Sequence, residues 1–179
     1  MKIVFLDKSN SLYFEESAKL LQENFECWSD MQTAKDEIKK ICSSCNITFV
    51  AVDENHVIGL IGAHPQYDGN VWEMHPLVVR REKQKNGIGK LLVNALEVEV
   101  SKRGGITIYF GTDDESNYTT LSNTDIYENT YDKITNVINL NRHPFEFYLK
   151  CGYKIVGIIP DANGYGKPDI MMAKRMVRL

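Results

Sequence analysis

Two short stretches of this chain combine residue types and spacings that could do chemistry. The first is Glu73-Met74-His75-Pro76-Leu77, inside an apolar run that reads as a strand. Glu73 and His75 are two apart, so their side chains project from one strand face unless a bulge intervenes. A carboxylate there can hold a cationic amine and accept its proton, directly or through water. A histidine, neutral for much of its population near pH 7, can assist. From residue type alone, the plainer readings are a surface-strand glutamate and a core-edge histidine bonded to backbone. The second stretch is Gln84-Lys85-Asn86-Gly87-Ile88-Gly89-Lys90. It follows the end of the apolar run at Val78 and Val79 and leads into Leu91, Leu92, Ala95 and Leu96 at helical spacing. A glycine turn at a helix N-terminus aims unpaired N–H groups and the positive end of the helix dipole at one spot. Lys83, Lys85 and Lys90 add charge around it. The pattern predicts a phosphate site.

Two phosphate-loop families fail on spacing. A P-loop needs G-x-x-x-x-G-K-[ST], but Leu91 follows Gly89-Lys90 and Gln84 stands where the first glycine belongs. A dinucleotide fold needs a third glycine that is absent. What remains, Q-x-x-G-x-G after a strand carrying Leu77 and Val79, resembles the acetyl-CoA signature of the GNAT acetyltransferase superfamily. A second match is Asn141 to Tyr153, NRHPFEFYLKCGY. It resembles the closing helix and strand of GNAT domains, with Pro144 in the first turn where a missing N–H costs no helical bond. The longer segments GLIGAHPQY, WEMHPLVV, RGGITIYFGTDD, LSNTDIYENTYDKI, HPFEFYLKCGYKIVGIIPDANG and KPDIMMAK resemble the chromosomal aminoglycoside 6'-N-acetyltransferases of enterococci. The resemblance fades before about Cys45. There Phe25-Glu26-Cys27-Trp28 departs from the loop that helps shape the family's acceptor pocket.

The resemblance implies an α/β (α+β) fold of GNAT type, a mixed, mostly antiparallel central sheet splayed at the cofactor site with helices on both faces. It implies acetyl-CoA as donor, direct attack by an amine in a ternary complex, and a homodimer. It places the extended cofactor arm along Leu77, Val78 and Val79 in the manner of an added strand, and the pyrophosphate on Gln84 to Lys90. The Leu77 N–H, free of the ladder after a bulge at Pro76, points at the thioester carbonyl oxygen, a donor worth about 3 kcal/mol of barrier. Asn141 bonds the cofactor arm. Tyr148 contacts the sulfur, as a hydrogen-bond donor more than an acid, because a phenol is a weaker acid than a thiol. Trp28 joins Glu73 and His75 in the acceptor pocket, and the acceptor is the 6'-amine of aminoglycosides, with resistance as the consequence.

The acceptor class has its own sequence clue. Asp113, Asp114, Glu115, Asp125, Glu128 and Asp132 lie in one stretch without Lys or Arg until Lys133, interleaved with Tyr118, Tyr127 and Tyr131. Clustered like charge attracts cations, so Asp113, Asp114 and Glu115 are read as acceptor contacts, against a merely solvated acidic loop. A polyamine or a basic protein's amine would be drawn by the same wall. An acyl-CoA sensor without catalysis is the reading from another class.

The remaining composition sets bounds. The chain has 179 residues and a net charge of −3, which suits one domain over 1–179 and gives no basic footprint for nucleic acid. No apolar run approaches membrane-spanning length, so a cytoplasmic protein is expected. Cys42-Ser43-Ser44-Cys45 lacks a second ligand pair, and it closes a helix instead of opening one. Reduced thiols and no metal are therefore expected. Helices are predicted around Phe14 to Phe25, Met31 to Ile41 and from Ile88 to a glycine stop at Gly104. Strands are predicted at 2–6, 48–53, 57–64, from Ile106, and in a final hairpin over 153–160 and 168–174.

Overall fold

Residues 1–7 and 9–177 are described in a computed structural model. Their contacts separate into two compact units, residues 1–108 with Met176 and Val177, and residues 109–175. In the first unit the elements run β1 (Lys2–Phe5), α1 (Ser11–Asn24), α2 (Met31–Ile41), β2 (Ile47–Asp53), β3 (His56–Gln66), β4 (Val71–Val79) and α3 (Ile88–Lys102). β5 (Thr107–Asp113) crosses into the second unit, which adds α4 (Thr130–Thr135), α5 (Phe145–Lys150), β6 (Lys154–Ile159) and β7 (Asp169–Arg175). This is the mixed α/β architecture, with mostly antiparallel strands, that the sequence predicts.

The helices start where side chains can replace missing helical partners. Asn10 Oδ1 accepts from the Tyr13 N–H to open α1, and Asp30 Oδ2 accepts from the Thr33 N–H and hydroxyl to open α2. Strands β1, β2, β3 and β4 pair in that order, all antiparallel. One face of this sheet sends Val50, Val52 and Leu60 into a cluster with Ala18, Leu20 and Leu21 of α1 and Ala34, Ile38 and Ile41 of α2. Each fully buried leucine or isoleucine there contributes roughly 1.5–3 kcal/mol. Gly59 faces the other way, where an added Cβ would lie 2.9 Å from Leu92 and 3.4 Å from Ile88 of α3. Helices therefore cover both faces of this part of the sheet.

The expected bulge is present. Ile61 pairs with Leu77 and Ala63 with Met74, so Gly62 alone opposes His75 and Pro76, which are joined by a cis peptide. A Cβ on Gly62 would sit 2.5 Å from the His75 carbonyl oxygen, so the bulge requires glycine at that position.

In the second unit β7 lies between β5 and β6, and β6 pairs with β7 antiparallel. Its core stacks Phe110 against Tyr148 at 4.3 Å and against Tyr153 at 5.1 Å. The long connection after β5 is organised from within and contains α4, which sequence periodicity does not announce. Its cap residue, Asn129, takes a left-handed φ of 52°, a conformation asparagine tolerates better than most residues.

Candidate active site

Burial alternates along β4 up to its bulge and beyond. Trp72, Met74, Pro76 and Val78 are buried, while Glu73, His75 and Leu77 are not. Glu73 and His75 thus share the face on which an acceptor could reach them, as the two-residue spacing predicts. Trp28 comes to the same place: its ring lies 5.6 Å from that of His75, edge-on to Phe25 at 4.9 Å. The 3-10 turn Glu26–Trp28, between α1 and α2, delivers it there.

His75 keeps an exposed edge, but the protein around it disfavours a charged ring. Desolvation is the largest influence and lowers its pKa below the ordinary imidazole value. Glu37 and Glu73 oppose that, and Lys40 and His64 reinforce it. His75 is neutral at pH 7, able to donate from one ring nitrogen and accept at the other.

The sequence reading missed His64. It lies directly across the ladder from Glu73, and its Nε2 is 3.2 Å from Glu73 Oε2. The signal that could have found it is the β3–β4 register. That register depends on the tight turn Tyr67–Gly69, with left-handed φ at Tyr67 and Asp68.

The loop after β4 holds itself in shape with its own side chains. Gln84 donates from Nε2 to the Val79 carbonyl at 3.0 Å, and Asn86 donates from Nδ2 to the Lys83 carbonyl at 3.2 Å. Gly87 caps α3 at φ 79°, with no atom within 4 Å of where a Cβ would stand. The first helical bond is Leu91 N–H to the Gly87 carbonyl, and the N–H groups ahead of it have no helical acceptor. An open approach, outward amides and the lysines Lys85 and Lys90 fit a pyrophosphate, so these residues could hold acetyl-CoA. Among the described residues no group of three or more His, Cys, Asp or Glu side chains is placed to hold a metal ion, and none of the cysteines is in a disulfide.

The second unit carries the other predicted residues. Tyr148 lies on α5 with its ring against Phe110, Phe147 and Tyr153. Burial is the main cause that raises its phenol pKa above the ordinary value, so it remains a neutral hydrogen-bond donor. Asn141 is exposed, and its backbone N–H donates to the Tyr118 carbonyl at 3.3 Å.

The acidic stretch divides in two. Asp113 and Glu115 are exposed, as are Asp125, Glu128 and Asp132, beside the exposed rings of Tyr127 and Tyr131. Asp114 is 1% exposed. Its Oδ1 accepts from the Tyr118 N–H at 2.6 Å, and its Oδ2 from the Thr119 N–H and hydroxyl and the Ser122 hydroxyl. Counted in sequence as an acceptor contact, Asp114 is placed as the brace of its own loop. Burial alone would raise its pKa, but the bonds from Ser122, Tyr118 and Thr119 outweigh that and hold it below the ordinary value. His143, 2% exposed, also braces this unit. Its Nδ1 accepts from the Phe145 N–H, so Nε2 carries the hydrogen and donates to the Asp113 carbonyl at 3.0 Å. It thereby ties the start of α5 to the end of β5.

A bulged strand bearing a carboxylate is followed by a glycine turn that opens a helix. Residues 14–121 match the Acetyltransferase (GNAT) family, and the chain belongs to that family. The match runs across the boundary between the two units. Among solved structures, an aminoglycoside 6'-N-acetyltransferase complexed with coenzyme A is 46% identical with a TM-score of 0.92, covering 99% of this chain and 98% of that one. The aminoglycoside 6'-N-acetyltransferase from Enterococcus faecium is 47% identical with a TM-score of 0.95 over the same shares. An aminoglycoside 6'-acetyltransferase type Ii is 40% identical with a TM-score of 0.79, again over 99% and 98%. No curated protein matches the chain.

Proposed function

We propose that this chain moves the acetyl group of acetyl-CoA to the 6'-amine of aminoglycosides, acting as one catalytic domain over residues 1–179. The observation that carries this reading is the 40–47% identity, over nearly the full length of both chains, to enzymes named for that reaction. The half-buried Glu73 supports it, since a carboxylate on that face meets the requirement for holding an ammonium.

Acetyl-CoA, when bound, supplies the activated acetyl thioester. The amides from Gly87 into α3 and the nearby lysines would hold its pyrophosphate, with Gln84 and Asn86 keeping the loop in shape. Leu77, Val78 and Val79 would take the extended arm, joined by Asn141, and the Leu77 N–H would donate to the carbonyl oxygen. Glu73 would bind the acceptor's ammonium, whose proton leaves to water directly or by way of that carboxylate. The neutral His75 and the Trp28 ring flank the same position. The amine nitrogen would bond to the carbonyl carbon as the carbon–sulfur bond breaks, the nitrogen's second proton leaving to water and the thiolate taking one from water, and by the family resemblance the Tyr148 hydroxyl would donate a hydrogen bond to the departing sulfur. The exposed Asp113 and Glu115 of the second unit are proposed, from their charge, to attract a polycation.

A polyamine or basic protein acceptor would use the same groups. Initial rates with acetyl-CoA and kanamycin-type sugars, analogues with a 6'-hydroxyl in place of the amine, spermidine and basic peptides discriminate among them. Turnover that survives loss of the 6'-amine would end the aminoglycoside reading, and no turnover with any amine would favour a sensor. We propose a homodimer from the family resemblance, to be checked by sedimentation at micromolar concentration. We also propose a cytoplasmic location. No helix among the described residues is long and apolar enough to cross a membrane.

A further inference from the structure

We infer that His143 is a positioning residue for Tyr148, latching the start of α5 to the end of β5 so that the Tyr148 hydroxyl is held where the departing sulfur would lie. This rests on the reading of Tyr148 as the group that donates a hydrogen bond to that sulfur. The latch lies wholly within the second unit. The buried His143 ring uses both nitrogens: Nδ1 accepts from the Phe145 N–H at 3.3 Å, and Nε2 lies 3.0 Å from the Asp113 carbonyl oxygen. A carbonyl only accepts and a main-chain N–H only donates. Both bonds therefore form together only when the ring is neutral and protonated on Nε2. Burial is the main influence on this ring and favours the neutral form, against the Asp113 carbonyl and the charges of Asp114 and Asp113. The main chain beneath the ring is fixed as well. Asn139 Oδ1 accepts from the His143 N–H at 2.8 Å, and Asn139 Nδ2 donates to the His143 carbonyl at 2.9 Å.

The latch and Tyr148 are two points of one contact between α5 and β5. At the first, His143 joins Asp113 to Phe145. At the second, further along α5 and further back along β5, the ring of Tyr148 meets that of Phe110 at 4.3 Å. The first helical bond, from the Phe147 N–H to the Pro144 carbonyl at 2.9 Å, begins directly after the latch. α5 has only six residues, and a helix that short has little stability of its own. The direction in which it carries Tyr148 is therefore set by what holds its start. Packing against Phe110 bounds the ring but tolerates tilt, whereas the hydroxyl at the ring's tip must meet one atom. A displacement of about 1 Å there loses most of a directed hydrogen bond.

The test uses the full-length enzyme with acetyl-CoA and kanamycin A. It compares kcat and both KM values for wild type, His143→Asn, His143→Gln, Tyr148→Phe, and each His143 substitution combined with Tyr148→Phe. Asparagine can keep an acceptor near the Nδ1 position and glutamine a donor near the Nε2 position, so each retains one half of the latch. Each single His143 substitution should lower kcat about fivefold and leave both KM values within about twofold of wild type. Combined with Tyr148→Phe, neither should lower kcat further, because a hydroxyl that has been removed cannot be misplaced. Equal losses with and without Tyr148→Phe would show a general structural role and overturn the inference. Thermal melting checks that each variant is folded. Nitrogen-15 NMR of the wild-type imidazole depends on no variant folding, and should report a neutral ring protonated on Nε2 at pH 7. A ring protonated on Nδ1 would also overturn the latch. Wild-type kcat in both His143 variants beside an impaired Tyr148→Phe would defeat this inference alone. Wild-type kcat in Tyr148→Phe would defeat the reading beneath it.

Discussion

The side-chain amide of Gln84 donates to the main-chain carbonyl of Val79 at 3.0 Å, so the first residue of the glycine loop is spent folding that loop back onto the end of its own strand. The signature glutamine is thus a structural clamp, and we propose that ligand contact falls to the backbone from Gly87 onward. Chain neighbours aside, no protein atom lies within 4 Å of a Cβ added at Gly87, so packing tolerates the first side-chain atom of Gly87→Val. The positive φ costs about 1–2 kcal/mol, which a stable fold tolerates. The ligand side should suffer more: acetyl-CoA KM is expected to rise by at least about tenfold, with kcat at saturation little changed. Initial rates together with a thermal melt decide it. A folded variant with wild-type acetyl-CoA KM would remove the pyrophosphate assignment.

Asp114→Asn tests the brace of the second unit. The amide offers one acceptor oxygen where the carboxylate offers two, and four donors converge there. Destabilisation of about 2 kcal/mol or more at pH 7 is expected from urea unfolding, because buried donors lose their partner. The sign with pH follows from the depressed pKa: Asp114 contributes fully above its unfolded value, near 4, and loses that contribution as pH falls through the lower folded value. The gap between wild type and variant should therefore close in strong acid. A gap that does not narrow as pH falls below the ordinary carboxylate range would contradict this assignment.

These two residues also show which parts of the molecule sequence can disclose. Ala34, Ile38 and Ile41 repeat at helical spacing and were legible, because periodicity reports burial directly. Glu73 and His75 were placed on one face by strand alternation alone. Asp114 was not legible. Its burial is produced by Tyr118, Thr119 and Ser122 wrapping back four to eight residues later, and nothing in its type separates it from exposed Asp113. His64 was missed for a different reason: its partner is set by hairpin register, and register depends on turn geometry that composition does not fix.

Tyr148→Phe separates proton donation from hydrogen bonding. The phenol's pKa is raised, chiefly by burial, so it stays protonated throughout the working range. Loss of one hydrogen bond to the sulfur should lower kcat by about tenfold while leaving KM values near wild type. No limb of the pH–rate profile between pH 6 and 9 should disappear, since a group that does not titrate there cannot create one. A variant with unimpaired kcat would reduce Tyr148 to an aromatic packing residue against Phe110.

Glu73→Gln distinguishes the two jobs open to that carboxylate. If Glu73 chiefly anchors the ammonium, the amide should raise acceptor KM and spare kcat, because binding common to ground and transition states was lost. If it also carries the proton, kcat should fall by about 100-fold, the lower end for a general base, and the acid limb of its pH profile should move. The surroundings favour the first outcome in larger measure. His64 Nε2 lies 3.2 Å from the carboxylate, and the half-buried position leaves room for water to accept the amine's proton before attack. A KM change of about tenfold is expected, since an ion pair at a half-exposed site is worth little. A mixed result weighted toward KM is expected, measured as kcat and acceptor KM across pH with acetyl-CoA saturating. Wild-type values of both would return Glu73 to a strand glutamate bonded to its neighbour, and the acceptor's anchor would then have to be sought elsewhere on the chain.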